Sequence, residues 1–263
     1  MNRTAAHLDG DVIRTALGEA WTRLDIVERT GSTNADLLAA AGAGAPDRSV
    51  LVAEHQESGR GRLTRTWVSP PGAGLTVSVL LRPTTVPASR YGWLPLLAGL
   101  AALDTVRELT DVPAGLKWPN DLLVGAEPRK VAGILAEVSG DAVVIGIGFN
   151  VGAAPEGQPG ATSLAAEGAD VDRTDVLVTL LRRLGEREEE WRANRGDPEV
   201  LRGDYRAGCA SLGSPVRVEL PGGAVLTGIA EDVDADGRLL ILDDSGVRRA
   251  VAAGDVVHLR SKA

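Results

Sequence analysis

Hydrophobic patterning changes character once along this chain, at Gly213, and that change narrows the folds open to it. Before it, short β-branched runs alternate with apolar repeats at helical spacing; after it come only short strand-like runs joined by tight turns. PVRVEL, a Pro-Gly-Gly turn, AVLTGIAEDV, an Asp-Gly turn, RLLIL and RRAVAAGDVVHL fill this last stretch. The pattern predicts an α+β unit over residues 1–212, with a mixed sheet flanked by helices, and a small all-β unit of barrel type over residues 213–263.

Within the first unit, residues 30–43 carry helix-start chemistry: Thr33 as the capping hydroxyl, Asp36 three residues on, then an alanine-rich run closed by glycine. Helical spacing recurs over residues 88–109 and over 173–195, where Val176, Leu177, Leu180, Leu181 and Leu184 share a face, and a further helix covers residues 198–208. Strands are expected at residues 50–56 and 74–83 and in GLKWP, RKVAGILAEV and AVVIGIGFNV. Residues 152–160, GAAPEGQPG, are too broken by glycine and proline for either state and read as a mobile loop.

No apolar run reaches the length of a membrane span, and the first residues lack the order of a secretory signal; the expectation is a cytoplasmic protein without a membrane partner. A net charge of -8 argues against a protein that tracks nucleic acid, which needs a basic surface. The one cysteine, Cys209, has no internal partner and reads as a small buried hydrophobe, and no protein-held metal cluster is read from the sequence. Lysine occurs only as Lys117, Lys130 and Lys262 in a chain that otherwise uses arginine. Such a chain retains lysine where a compact ammonium is required, which singles out Lys117 and Lys130, although ordinary solvated lysines fit as well.

Four stretches carry chemistry. In residues 57–67, ESGRGRLTRTW, Gly59 and Gly61 let backbone amides approach a ligand while Arg60, Arg62 and Arg65 offer forked donors for carboxylate or phosphate. The position of this loop between two strands favours a small anion over nucleic acid, and Trp67 at its end reads equally as a ligand-facing ring or a core side chain. In residues 115–124, GLKWPNDLLV, Lys117, Asn120 and Asp121 form either a phosphate-facing cluster or a plain Pro-Asn-Asp turn. RKVAGILAEV opens on Lys130 and holds Gly133, where something can lie against the backbone. GIGFN, residues 146–150, nearly matches a dinucleotide fingerprint, but a proline-rich loop follows it where a helix N-terminus would be needed.

Together with GSTN at 31–34, these motifs stand in the order and spacing of biotin protein ligases, and the chain resembles that family from about residue 25 to 260. The resemblance implies a catalytic domain similar to that of class II aminoacyl-tRNA synthetases, followed by an SH3-like barrel. It implies ATP-dependent transfer of biotin, through biotinyl-5'-AMP, to a lysine of a biotin carboxyl carrier protein, with Mg2+ bridging phosphates. By the same resemblance Ser32, Thr33, Asn34, Gln56, Gly59, Arg60, Gly61, Arg62, Lys130 and Gly133 hold biotin, and Lys130 and Arg62 are the catalytic contacts. Arg65, Trp67, Lys117, Asn120, Asp121 and Asn150 serve the adenylate, the indole stacking near adenine, while residues 152–160 order over the nucleotide. Asp121 assists either magnesium or the attacking amine. The chain departs from the family at His55, where tyrosine is usual, and at Phe149, where isoleucine is; neither is a polar contact.

Family members that repress transcription carry a winged helix-turn-helix ahead of the catalytic core; some thirty residues precede GSTN here, so no operator binding is expected. A monomer or weak homodimer fits the family. Two other classes compete: a lipoate ligase of the same fold, and a calcium or interaction module suggested by DVDADG at 232–237, for which a hairpin turn is the simpler reading.

Overall fold

The computed structural model describes residues 7–62, 65–158, 160–220, 222–252 and 254–259. Helix α1 (Gly10–Leu17) starts at Asp9, whose carboxylate accepts from the amides of Asp11 and Val12. Strand β1 (Arg23–Thr30) follows, then helix α2 (Thr33–Gly42) and strand β2 (Ser49–Gln56). The motif-bearing stretch after β2 folds as a short ribbon of β3 (Gly59–Arg60) and β4 (Thr66–Trp67), ahead of β5 (Gly74–Leu81). A 3-10 turn (Ala88–Trp93) leads into α3 (Leu94–Leu109). Strands β6 (Ala114–Lys117), β7 (Asp121–Val124), β8 (Arg129–Ser139) and β9 (Ala142–Asn150) form a run of hairpins. Helices α4 (Arg173–Ala193) and α5 (Glu199–Gly208) precede the last strands, β10 (Pro215–Glu219), β11 (Val225–Val233), β12 (Leu239–Asp243), β13 (Arg248–Val251) and β14 (Asp255–His258).

Seven strands make one mixed sheet in the order β1-β2-β5-β9-β8-β7-β6, with β1 and β2 parallel and the other pairs antiparallel. One face packs on α3 and α4 in a core that includes Trp93, Leu97, Ile145, Ile147 and Leu180. The other carries α2, whose Leu37 and Ala41 meet Leu51, Leu80 and Val144. That second patch, around Leu37 and Ala41, covers only part of its sheet face. The last five strands pair antiparallel in the order β13-β12-β11-β10-β14. Their apolar side chains, such as Val216, Val218 and Ile241, join the core of the first unit.

The expected helices form, with two shifts. The cap of α2 is Ser32, whose Oγ accepts from the Ala35 amide at 3.4 Å, because the Thr33 hydroxyl is taken by Gln56 Oε1 at 3.1 Å. The helix expected over 88–109 starts as a 3-10 turn before becoming α3. The loop expected to be mobile at 152–160 is tied at both ends: the Gly152 amide donates to Ala73 O at 2.6 Å and the Lys130 amide to Gly160 O at 2.8 Å. DVDADG is a hairpin turn, in which the Asp234 carboxylate accepts from the amides of Asp236 and Arg238. Among the described residues no helix is long and apolar enough to cross a membrane.

Candidate active site

Strand facing brings the motifs together. Gly146 and Gly148 lie two residues apart on β9, so both present the same face. A Cβ on Gly146 would stand 2.2 Å from Asn34 Oδ1, and one on Gly148 would stand 2.1 Å from the Trp67 ring. These glycines make room for two side chains of the pocket; that, and not phosphate binding, accounts for the near-fingerprint. Lys130 and Gly133, three apart on β8, would point to opposite faces in a regular strand. A bulge opposite Leu122 and Leu123 skips Val131 in the pairing and turns both inward. A Cβ on Gly133 would then sit 3.0 Å from Lys130 Nζ and 3.2 Å from the Trp67 ring.

The result is a cavity of about 250 Å³. Its lining includes Ser32, Thr33, Asn34, Gln56, Arg60, Gly61, Arg62, Arg65, Trp67, Asn120, Asp121, Lys130, Gly133 and Asn150, so fourteen of the sixteen anticipated site residues converge. Gly59 lies just behind them, where a Cβ would be 2.3 Å from Gln56 Nε2 and 2.4 Å from Trp67 O; its part is to let the ribbon pack on Gln56. Lys117 is not in the lining. It stands on the edge strand β6, one strand beyond Asp121, and its charge acts on His258.

At one end the polar groups are interlocked. Gln56 Oε1 accepts from the Thr33 amide at 2.9 Å, and the fully buried Ser78 hydroxyl lies 2.7 Å from Thr33 Oγ1 and 2.6 Å from Asn34 Oδ1. At the other end Arg62 donates to Asn120 Oδ1 at 3.2 Å and to Gly254 O at 3.3 Å, while Arg65 pairs with Asp255. Burial pushes the Arg62 pKa down, with Asp121 and Asp255 acting the other way; Arg65 is held above its ordinary value, first by its bond to Asp255. Between the two ends Lys130 Nζ lies 2.6 Å from Asp121 Oδ1 and 5.7 Å from the Trp67 ring centroid.

Three buried polar atoms near Gly148 and Gly74 have no partner among the described residues: Trp67 Nε1, Ser69 Oγ and Asn150 Oδ1. Asn150 is 1% exposed and donates its amide only to Thr162 O, at 3.0 Å. Of these residues Trp67 and Asn150 line the cavity, and an unpaired donor and an unpaired acceptor there suit a ligand with matching polar edges. Among the described residues no three His, Cys, Asp or Glu side chains gather as metal ligands.

Sequence reasoning missed Gly254 and Asp255, which enter the lining from the last unit, and Ala161; Gln158, also in the lining, belongs to the 152–160 loop expected to cover the nucleotide. It missed Ser78 as well, a polar residue on a strand whose positions are all buried. Cys209 is buried, as expected, and burial raises its pKa.

Comparison with known proteins adds independent findings. Residues 27–150 match the biotin/lipoate A/B protein ligase family, and residues 211–259 match the biotin protein ligase C-terminal domain. A biotin--[acetyl-CoA-carboxylase] ligase of Mycobacterium tuberculosis is 52% identical over 92% of this chain and 91% of its own. The bifunctional ligase/repressor BirA of Bacillus subtilis is 32% identical over 90% of this chain and 74% of its own. Among solved structures, the biotin protein ligase from Aquifex aeolicus in complex with biotin and ATP matches with a TM-score of 0.76 at 30% identity, covering 92% of this chain and all of that one.

Proposed function

This chain belongs to the biotin/lipoate A/B protein ligase family, and from that premise we propose that the cavity lined by these motifs carries out both halves of an ATP-dependent biotin ligation. A biotin carboxylate oxygen attacks the α-phosphorus of ATP, the bond to the β-phosphate breaks, and biotinyl-5'-AMP and pyrophosphate result. A lysine amine of a biotin carboxyl carrier domain then attacks the acyl carbon; AMP leaves and the amine gives up a proton. Biotin lies against Ser32, Thr33, Asn34, Gln56 and Gly133 under the ribbon of Arg60, Gly61 and Arg62. The nucleotide takes the end with Arg65, Trp67, Asn120, Asp121 and Asn150.

The observation that carries this reading is the place of Lys130, between the interlocked polar end and the arginine end of one cavity. Two anions must meet there, and positive groups fixed in advance cancel the charge that builds up as they do. Positioning and electrostatics suffice for such a transfer, so no protein nucleophile is needed. Once the mixed anhydride forms, the ribbon covers it and keeps water out. Magnesium, carried in on the nucleotide, fits the donor set: Asp121 and Asp255 are the carboxylates in the lining, and such ions take one or two carboxylates besides phosphate oxygens. When bound it neutralises phosphate charge. We also propose residues 1–212 as the catalytic domain and 213–263 as an SH3-like C-terminal β domain packed on it, supported by the start of β10 at Pro215, and a cytoplasmic location.

Purified protein given biotin, Mg2+ and α-labelled ATP is expected to make labelled biotinyl-adenylate, and to biotinylate a carrier domain added afterwards. Lipoate in excess should not compete. Failure to form the adenylate, or preferential use of lipoate, would contradict the proposal.

A further inference from the structure

Alternation along β8 puts Glu137 on the same face as Gly133 and Leu135, both of which line the cavity. Its two carboxylate oxygens face different partners. Oε2 accepts from Asn34 Nδ2 at 2.8 Å, and Oε1 stands 3.4 Å from an Arg60 guanidinium nitrogen. Asn34, 5% exposed, is fixed from behind by Ser78 and leaves no room for a side chain at 146. Polar contacts thus run unbroken from Gln56 through Thr33, Ser78 and Asn34 to Glu137, and end on the ribbon at Arg60.

The ribbon is pinned at both ends. Arg62 and Arg65 hold its outer end to Asn120, Gly254 and Asp255, and Arg60 meets Glu137 at its inner end. The groups that touch the first ligand are therefore wired to the flap that covers it.

We propose that Glu137 is a positioning residue that latches the arginine ribbon over the bound acyl-adenylate: its charge retains Arg60 while its second oxygen keeps Asn34 turned into the pocket. The inference rests on the reading of the cavity as a biotin and adenylate site. Loss of the charge frees Arg60, the ribbon opens more often, and the activated intermediate escapes before a carrier amine arrives.

The test is a chase of labelled biotinyl-adenylate, formed on the enzyme, from wild type, Glu137→Gln, Arg60→Gln and the double variant. Glutamine still accepts from Asn34 but offers Arg60 no charge. Release from Glu137→Gln is expected to be about three- to fivefold faster, the scale of a partly exposed ion pair. The double variant should release no faster than Arg60→Gln alone, since both changes break one contact. Added salt should speed release from wild type towards the Glu137→Gln rate and leave that variant nearly unchanged. Equal release from wild type and Glu137→Gln, additive effects in the double variant, or salt-insensitive release from wild type would each overturn the latch. If wild type forms no adenylate, the reading of the site falls with it; if it forms and Glu137→Gln holds it as long as wild type does, only the latch falls.

Discussion

A methyl group on Gly148 would meet the indole of Trp67 at 2.1 Å, and one on Gly146 would meet the Asn34 amide at 2.2 Å. Gly148→Ala must therefore displace a ring that lines the cavity, at the end proposed for the nucleotide. Overpacking of this kind costs about 1–3 kcal/mol. Here it falls on the site, because the opposite face of β9 carries the core residues Ile145, Ile147 and Phe149. ATP binding, read by calorimetry, should weaken about tenfold or more, with little change in unfolding temperature; unchanged ATP affinity would dissociate Trp67 from nucleotide binding. The glycines were legible as a motif and not as a mechanism, since which face a strand turns inward is fixed by its neighbours. Glu137 and Ser78 were not legible at all. An acid near a strand end and a serine among valines and leucines are ordinary until their partners, more than forty residues distant in sequence, come alongside.

At the scale of elements, α4 is anchored by its first residue. Arg173, 2% exposed, donates to Glu54 at 2.6 Å and to Gly74 O at 3.1 Å, which ties the helix to β2 and β5 at the ends that lead into the site. Arg173→Ala leaves the Glu54 carboxylate largely buried without its cation and should destabilise the fold by about 3–5 kcal/mol, read by denaturant unfolding. A loss within experimental error would show that the pair is not structural. Long, strongly periodic elements such as α3 and α4 were readable from spacing alone. The first helix and β1 were not: α1 spans two turns, and RLDIVERT is an edge strand whose charges mask its alternation while blunting an exposed edge. The bulge in β8 also escapes a sequence reading, although Lys130 and Gly133 share a face only through it.

At the scale of the whole molecule, the last five strands reach into the chemistry of the first unit. Gly254 and Asp255 line the cavity, and the motif bearing Asn120 and Asp121 is gripped by the last unit, where Trp118 Nε1 donates to Gly237 O at 3.0 Å, while the Trp118 amide donates to Ser211 Oγ, just ahead of β10, at 3.1 Å. Ser211 Oγ lies 2.8 Å from His258 Nε2. Burial, and then the charge of Lys117, hold the His258 pKa below its ordinary 6.5. The unfolded chain therefore takes up a proton at a higher pH than the folded one, so stability should decline as pH falls through 6.5 towards the folded value and level off below it. His258→Gln should flatten that part of a melting-temperature profile; an unchanged profile would remove His258 as its source. Patterning predicted a β module in the last unit, but nothing in its turns showed that Gly254 and Asp255 would enter the cavity lining. Lys130 is the fixed cation proposed to let two anions react at the junction of the cavity's two ends. Single-turnover formation of biotinyl-adenylate by wild type and Lys130→Ala tests that role most directly: the account expects a loss on the order of a hundredfold or more in the variant, and an undiminished rate in a folded Lys130→Ala protein would contradict it.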